Sequence, residues 1–241
     1  MTAIANLDHL VVMANTLDEG VAWCEATLGV TPGPGGEHPL MGTHNRLLRI
    51  DSDAFSRAYL ELIAINSKAN YAYNTRATRW FDMDNAKIQA RVAQNSPQLI
   101  HWVAGVPDIA AAVQTLAAQG IDRGPAIQAS RMTPHGLLKW QITVRDDGQR
   151  LFDGCLPTLI QWGDVHPTHN MPESGLTLKA VQLAHPKQDE FQAALKVIGA
   201  TGIAVQIGSV CITATTKSRV RPGLAMSRVT SNGPNSDVNY D

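Results

Sequence analysis

Residues 7–29 read LDHLVVMANTLDEGVAWCEATLG, and the fold follows from how this stretch is punctuated. Leu7 to Val12 is a short apolar run broken by Asp8 and His9, and Ala14-Asn15 lead out of it. Thr16 with Glu19 three residues on fits a capping box, in which each side chain satisfies a free backbone N–H at the start of a helix. Leu17, Val21, Cys24 and Leu28 then fall at i, i+4, i+7 and i+11 on one helix face, and Gly29 ends it. The stretch is a strand followed by a capped amphipathic helix.

The same pattern returns 92 residues on. Leu99 to Val103 is a strand carrying His101, Asp108 is a cap, and Ile109, Val113 and Leu116 repeat the apolar face before Gly120. A third, degenerate copy has a strand from Leu176 to Ala184, a helix face of Phe191, Leu195 and Ile198, and Gly199 as the stop. Leu183 stands there in place of the histidine, so this copy carries no ligand. Strands rather than further helices follow the first two helices: His44 to Ile50 and Tyr59 to Ile65, then Leu137 to Val144 and Thr158 to Trp162. A helix followed by hairpin strands gives an α+β fold, not a doubly wound one.

Composition narrows the function classes. Twenty basic and 21 acidic residues leave a formal net charge of −1 with no basic cluster, which argues against nucleic acid as a partner. No apolar run approaches the roughly 18 residues of a membrane span, and no signal peptide opens the chain, so the expectation is no membrane partner and a cytoplasmic location. Cys24, Cys155 and Cys211 are odd in number and far apart, and are expected as buried thiols.

Glu61 is the strongest single-residue clue. In a strand, alternate side chains share a face, so Glu61 points with Tyr59 and Ile63 while Leu60 and Leu62 point away. An unpaired carboxylate buried in such a run costs several kcal/mol or more, so it must be protonated, ion-paired or on a metal.

A strand with an early histidine, a capped helix ending in Leu28-Gly29-Val30, and a later strand reading Tyr59-Leu60-Glu61-Leu62-Ile63 resembles the module of the vicinal-oxygen-chelate superfamily. Gly35-Gly36-Glu37-His38-Pro39, Gly42-Thr43-His44-Asn45, Ser130-Arg131 with Gly136 and Trp140, and His166-Pro167 resemble motifs of its glyoxalase-like domain proteins. Together these cover most of residues 7–200.

The resemblance implies repeated βαβββ modules forming a curved mixed sheet around a cleft, plus a third partial module. The expected boundaries are 1–65 for the first module, 66–98 for a helical or loop connection, 99–163 for the second module, 164–216 for the degenerate third and 217–241 for a loose tail. Whether modules pair within one chain or across a homodimer stays open.

The resemblance also implies a metal-dependent enzyme acting on a small molecule that chelates the ion through vicinal oxygens. His9, Glu61, His101 and Gln161 would be the metal ligands, with Zn, Mn, Fe, Ni or Co all compatible with these donors. Glu61 is the candidate catalytic residue, and Arg131, Trp140, His44 and Asn45 are candidates for substrate binding. Gln161 stands where glyoxalase I-like enzymes have a proton-accepting carboxylate, so ordinary glyoxalase I lyase chemistry is not expected. Two His and one carboxylate also fit a non-haem iron dioxygenase, and a metal-free protein that sequesters a small molecule is the third reading. His38, His44 and His166 read first as turn residues, and Trp80, Phe81, Trp102, Trp140 and Trp162 as core or as walls of an apolar pocket.

Overall fold

The computed structural model describes residues 4–69, 78–95, 97–218 and 227–231. The first unit runs β1 (Asn6–Met13), α1 (Leu17–Leu28), β2 (Glu37–His38), β3 (Thr43–Arg49) and β4 (Tyr59–Ile65). Thr16 Oγ1 accepts from Glu19 N–H at 3.1 Å, and Gly29, at φ 74°, closes α1 with its N–H on Glu25 O. A short 3-10 turn, Trp80–Asp82, and α2 (Ala86–Asn95) connect to the second unit. That unit is β5 (Gln98–Gly105), α3 (Ile109–Ala117), β6 (Ala126–Thr133), β7 (Gly136–Thr143) and β8 (Thr158–Trp162). Asp108 Oδ1 caps α3 by accepting from Ala111 N–H at 3.0 Å.

These strands form one curved sheet in the order β2-β3-β4-β1-β5-β8-β7-β6. Within each unit the first strand is parallel to the last, β1 to β4 and β5 to β8, and the two units meet through an antiparallel β1–β5 pair at the centre. The architecture is α+β, with the two units mirrored about that central seam. Strand alternation sorts the side chains. Leu10, Val12, Leu60, Leu62, Trp102 and Leu159 face outward into a core shared with α1, α3 and the third unit. Val11, Met13, Ile63, Val103, Ile142 and Ile160 face the concave side with Trp80, Phe81 and Met83. The helix lies close on the sheet: a Cβ on Gly20 would sit 2.6 Å from Leu62 Cδ2.

The third unit, β9 (Leu176–Ala184), α4 (Gln188–Val197), β10 (Ala204–Gln206), β11 (Cys211–Ser218) and β12 (Ser227–Thr230), forms a separate four-stranded sheet ordered β10-β9-β11-β12. It is fastened to the first unit by Leu178 N–H on Ile50 O and Ala5 N–H on Ile198 O. Leu183 is fully buried. The expectation of a loose tail from 217 needs correcting: β12 pairs with β11 from Thr213 to Thr216, and Val229 is buried in the shared core. The rest of that stretch, 219–226 and 232–241, lies outside the described residues, as do 70–77 and 96 of the connection. Cys24 and Cys155 are buried free thiols, whereas Cys211 is only half-buried. No helix among the described residues is long and apolar enough to cross a membrane.

Candidate active site

Asp8 and His9 are neighbours on β1, and in a regular strand their side chains would face opposite sides of the sheet. Here Leu7 pairs with Ala104 and His9 with Val103, so two steps of β1 match one step of β5. Asp8 is the extra residue of a β-bulge, which re-aims side chains, and its Oδ1 lies 2.6 Å from His9 Nδ1. Its other oxygen accepts from Trp162 Nε1 at 2.8 Å and lies 3.0 Å from His166 Nε2. Thr168 N–H donates to His166 Nδ1, so the His166 ring proton sits on Nε2 and is donated to Asp8. Burial opposes ionisation of Asp8, but the hydrogen bonds from His166 and His9 outweigh it and hold the carboxyl well below the usual carboxylate range. With its Nδ1 proton committed to Asp8, His9 presents Nε2 to the concave face, 3.6 Å from Glu61 Oε2.

Glu61 is held from the other side. Gly36 N–H donates to Asn45 Oδ1 at 2.8 Å, which fixes the amide so that Nδ2 points to Glu61 Oε1 at 2.6 Å. The same amide nitrogen lies 3.3 Å from His38 Nε2, which therefore accepts, leaving His38 Nδ1–H to donate to Thr43 Oγ1 at 3.1 Å. Burial lowers the His38 pKa to about 4, with Arg131 reinforcing and Glu61 opposing, so this ring is neutral at pH 7. Burial, with the charges of Asp8 and Glu61, pushes the Tyr59 phenol well above its ordinary value. Tyr59 stacks on the His9 ring with centroids 4.6 Å apart.

His9, His38, Asn45, Tyr59 and Glu61 line a narrow cavity of about 30 Å³ inside the curved sheet, room for a couple of waters or a small ligand group. Leu47, Leu138, Ile142, Ile160, Trp140 and Trp162 make its apolar wall. Trp80 and Phe81 cover it from the connection, where Phe81 and Asp82 adopt left-handed backbone angles (φ 59° and 56°), a conformation that costs non-glycine residues energy. Arg150 holds this turn by donating its N–H and Nε to Asp82 Oδ2.

The two free edges of the sheet are β2 and β6, and Arg131 on β6 reaches across to the loop before β2. A Cβ on Gly36 would lie 2.4 Å from Arg131 Nη1, so the guanidinium rests where only glycine leaves space. Arg131 Nη1 and Trp80 Nε1 are buried and find no acceptor.

Of the residues singled out from sequence, His9, Glu61, Asn45, Arg131 and Trp140 line this cavity and His44 does not. The four expected metal ligands are not gathered. His101 Nδ1 donates to Gly154 O at 2.8 Å and its Nε2 accepts from Thr158 N–H at 3.2 Å, so both nitrogens are engaged within the second unit. Burial, reinforced by Arg123 and Arg150, drives its pKa well below the ordinary value and keeps it neutral. Gln161 Oε1 accepts from Ile109 N–H at 2.8 Å, serving the first turn of α3. Among the described residues no group of three His, Cys, Asp or Glu is arranged to hold a metal ion. Asp8, His38, His166 and Trp162 were not assigned to the site from sequence. The visible signal was a second polar residue beside His9 inside an apolar strand.

An open groove of about 1070 Å³ lies between the loop after α3 and the start of α4. Its charges are largely matched: Arg145 with Asp122, Arg150 with Asp82, His185 with Asp153 and Lys187 with Glu190. It lacks the unpaired donors of the smaller cavity.

A family model described as glyoxalase-like domain matches residues 7–199. No curated protein matches the sequence. Among solved structures, a hypothetical protein from Staphylococcus aureus superposes with a TM-score of 0.59 at 15% identity, covering 86% of this chain and 88% of that one. A methylmalonyl-CoA epimerase in complex with methylmalonyl-CoA and NH4+ has a TM-score of 0.42 at 17% identity over 68% of this chain and 98% of that one. Its Mycobacterium tuberculosis counterpart has a TM-score of 0.40 at 15% identity over 71% and 96%. The paired βαβββ units and the family match agree: this chain belongs to the glyoxalase-like domain family, within the vicinal-oxygen-chelate superfamily.

Proposed function

We propose that this chain is an enzyme that moves a proton on a small oxygenated molecule held in the first-unit cleft, with His9 and Glu61 as the proton-handling groups. The observation that carries this reading is His9 Nε2 facing Glu61 Oε2 at 3.6 Å, with Asp8 behind the ring. A carbon beside a carbonyl gives its proton to His9 Nε2, and the electron pair moves to the carbonyl oxygen. The Asp8 and Glu61 carboxylates on either side of the ring stabilise the imidazolium that forms. Charge developing on the ligand oxygen is met by the Arg131 side of the cleft. Return of the proton to a different position gives isomerase chemistry.

The superfamily implies a divalent ion, and the donors do not fit the expected set. His9 and Glu61 face the cleft, but His101 and Gln161 have their donor atoms engaged elsewhere. No step is therefore drawn through an ion. A second reading needs side chains to move: His38 Nε2 lies 3.9 Å from Glu61 Oε1 but accepts from Asn45, so His9, His38 and Glu61 would offer two imidazoles and a carboxylate only once that amide turns away. Such a set suits Zn, Mn, Fe, Ni or Co, and with iron would support a dioxygenase.

The test is solvent exchange. In D2O the chain should catalyse deuterium incorporation into dihydroxyacetone or pyruvate, followed by proton NMR, with and without chelator. Exchange that survives chelator supports the first reading, and exchange or oxygen uptake restored only by one metal supports the second. Binding without turnover leaves the sequestering protein.

A further inference from the structure

We infer that the ligand of this cleft carries a carboxylate, held at the mouth by Arg131 Nη1 and Trp80 Nε1. The inference deepens the proton-transfer reading and rests on it for which cleft is occupied. Both atoms are buried without an acceptor, and Trp80 is only 6% exposed. Both residues line the cavity that also holds His9 and Glu61. Leaving such a donor unpaired costs folding free energy that an acceptor on a ligand recovers.

Most neighbouring acceptors already hold a donor, and none is bonded to Arg131 or to the Trp80 indole. Glu61 Oε1 accepts from Asn45, both Asp8 oxygens are occupied by His9, Trp162 and His166, and His38 Nε2 faces Asn45. Arg131 makes no ion pair with Asp8 or Glu61. Arg131 Nη1 and Trp80 Nε1 therefore give the cavity lining a pair of unpaired donors with one positive charge. An ionised carboxylate is acceptor-only and matches it, whereas an amide would turn its own N–H groups against the indole or the guanidinium.

Two further features suit this role. Gly36 lets the guanidinium rest against backbone, so Arg131 is positioned before any ligand arrives. The small cavity and the Glu61 carboxylate orient the ligand, with its own carboxylate toward Arg131 and its reacting carbon toward His9. A short 2-oxo acid carries these groups, and a cavity of about 30 Å³ takes one end of it rather than the whole molecule.

The experiment compares pyruvate with pyruvamide, its neutral isostere, by calorimetry and by nitrogen-15 NMR of the full chain. Pyruvate should bind wild type and should shift the indole N–H resonance that Trp80→Phe removes. Arg131→Met should weaken pyruvate at least tenfold and change pyruvamide less than twofold. Gly36→Ala, which keeps the arginine but intrudes on Nη1, should weaken pyruvate in the same direction and serves if Arg131→Met does not fold. Equal binding of acid and amide, an unmoved Trp80 resonance, or no pyruvate binding to wild type overturns the inference. The two claims fail separately. Pyruvate seated at Trp80 without proton exchange sinks the enzymatic reading alone, and exchange into dihydroxyacetone with no preference for acids sinks the carboxylate anchor alone.

Discussion

Replacing Asp8 with asparagine keeps the shape of the side chain but exchanges one acceptor oxygen for an NH2 group. Besides the Tyr59 phenol, three nitrogen donors converge on Asp8, and they differ in what they can give up. The Trp162 indole can only donate, and His166 has Nδ1 committed to Thr168 N–H, so both must donate from the Oδ2 side. The amide oxygen therefore stays on that side, and the NH2 falls opposite His9 Nδ1. His9 must then move its proton to Nε2, turning the atom that faces Glu61 from an acceptor into a donor. The site is buried on all sides, so weakening this one charge-assisted bond is expected to destabilise the fold by about 1–3 kcal/mol. Proton exchange should fall by about 10²–10⁴, the usual worth of a correctly placed general base. Urea unfolding reads the stability, and nitrogen-15 spectra of the histidine rings read the tautomer. The wild type should also lose stability as pH falls below about 4, where an unfolded aspartate begins to bind protons that folded Asp8 refuses. Asp8→Asn should lack that contribution. A variant in which His9 keeps its proton on Nδ1, or whose stability and acid limb match wild type, would refute the reasoning.

Other perturbations separate structural from functional residues. Gln161→Leu should cost about 1 kcal/mol in urea unfolding by removing the acceptor for Ile109 N–H. Gln161→Glu should gain about 0.3–1 kcal/mol by placing a charge at the start of α3, with metal uptake unchanged. His101→Leu should cost about 1–3 kcal/mol by leaving Gly154 C=O and Thr158 N–H without partners, while pyruvate binding in the first-unit cleft persists. His38, with its pKa lowered to about 4, is held neutral in the folded state. The unfolded chain therefore binds the extra proton first, and stability is full above about pH 6.5 and declines toward pH 4. In His38→Gln, the slope of unfolding free energy against pH over that window should be shallower.

Much of the architecture was legible because it rests on local periodicity. The two capped helices, the strands Tyr59–Ile65, Thr158–Trp162 and Leu176–Ala184, and the facing of Glu61 with Tyr59 and Ile63 all follow from spacing and caps. β2 and β6 were not visible as separate strands, since one has two residues and the other is a half-exposed edge with few large apolar side chains. β12 was hidden by its Ser- and Asn-rich surroundings, and only its pairing with β11 makes it a strand.

The site divides along the same line. Glu61 and His9 announce themselves as polar residues in apolar strands. Asp8 joins them only through a bulge set by the register against β5, about 90 residues away in sequence. His38 comes from the two-residue strand β2 and His166 from a loop, and tertiary closure brings both in. His101 misleads for the opposite reason: an equivalent place in a repeat does not give equivalent surroundings, and the Gly154–Thr158 segment claims both its nitrogens.

The central claim is that chemistry resides in the first-unit pair and not in a four-residue centre spanning both units. Deuterium incorporation into pyruvate, measured side by side for wild type, His9→Gln, Glu61→Gln and Gln161→Leu in chelator-treated D2O, tests it most directly. The account predicts exchange in wild type and Gln161→Leu within about threefold of each other, and losses of about 10²–10⁴ in the other two. Equal losses in Gln161→Leu and Glu61→Gln, or no exchange in wild type, would contradict it.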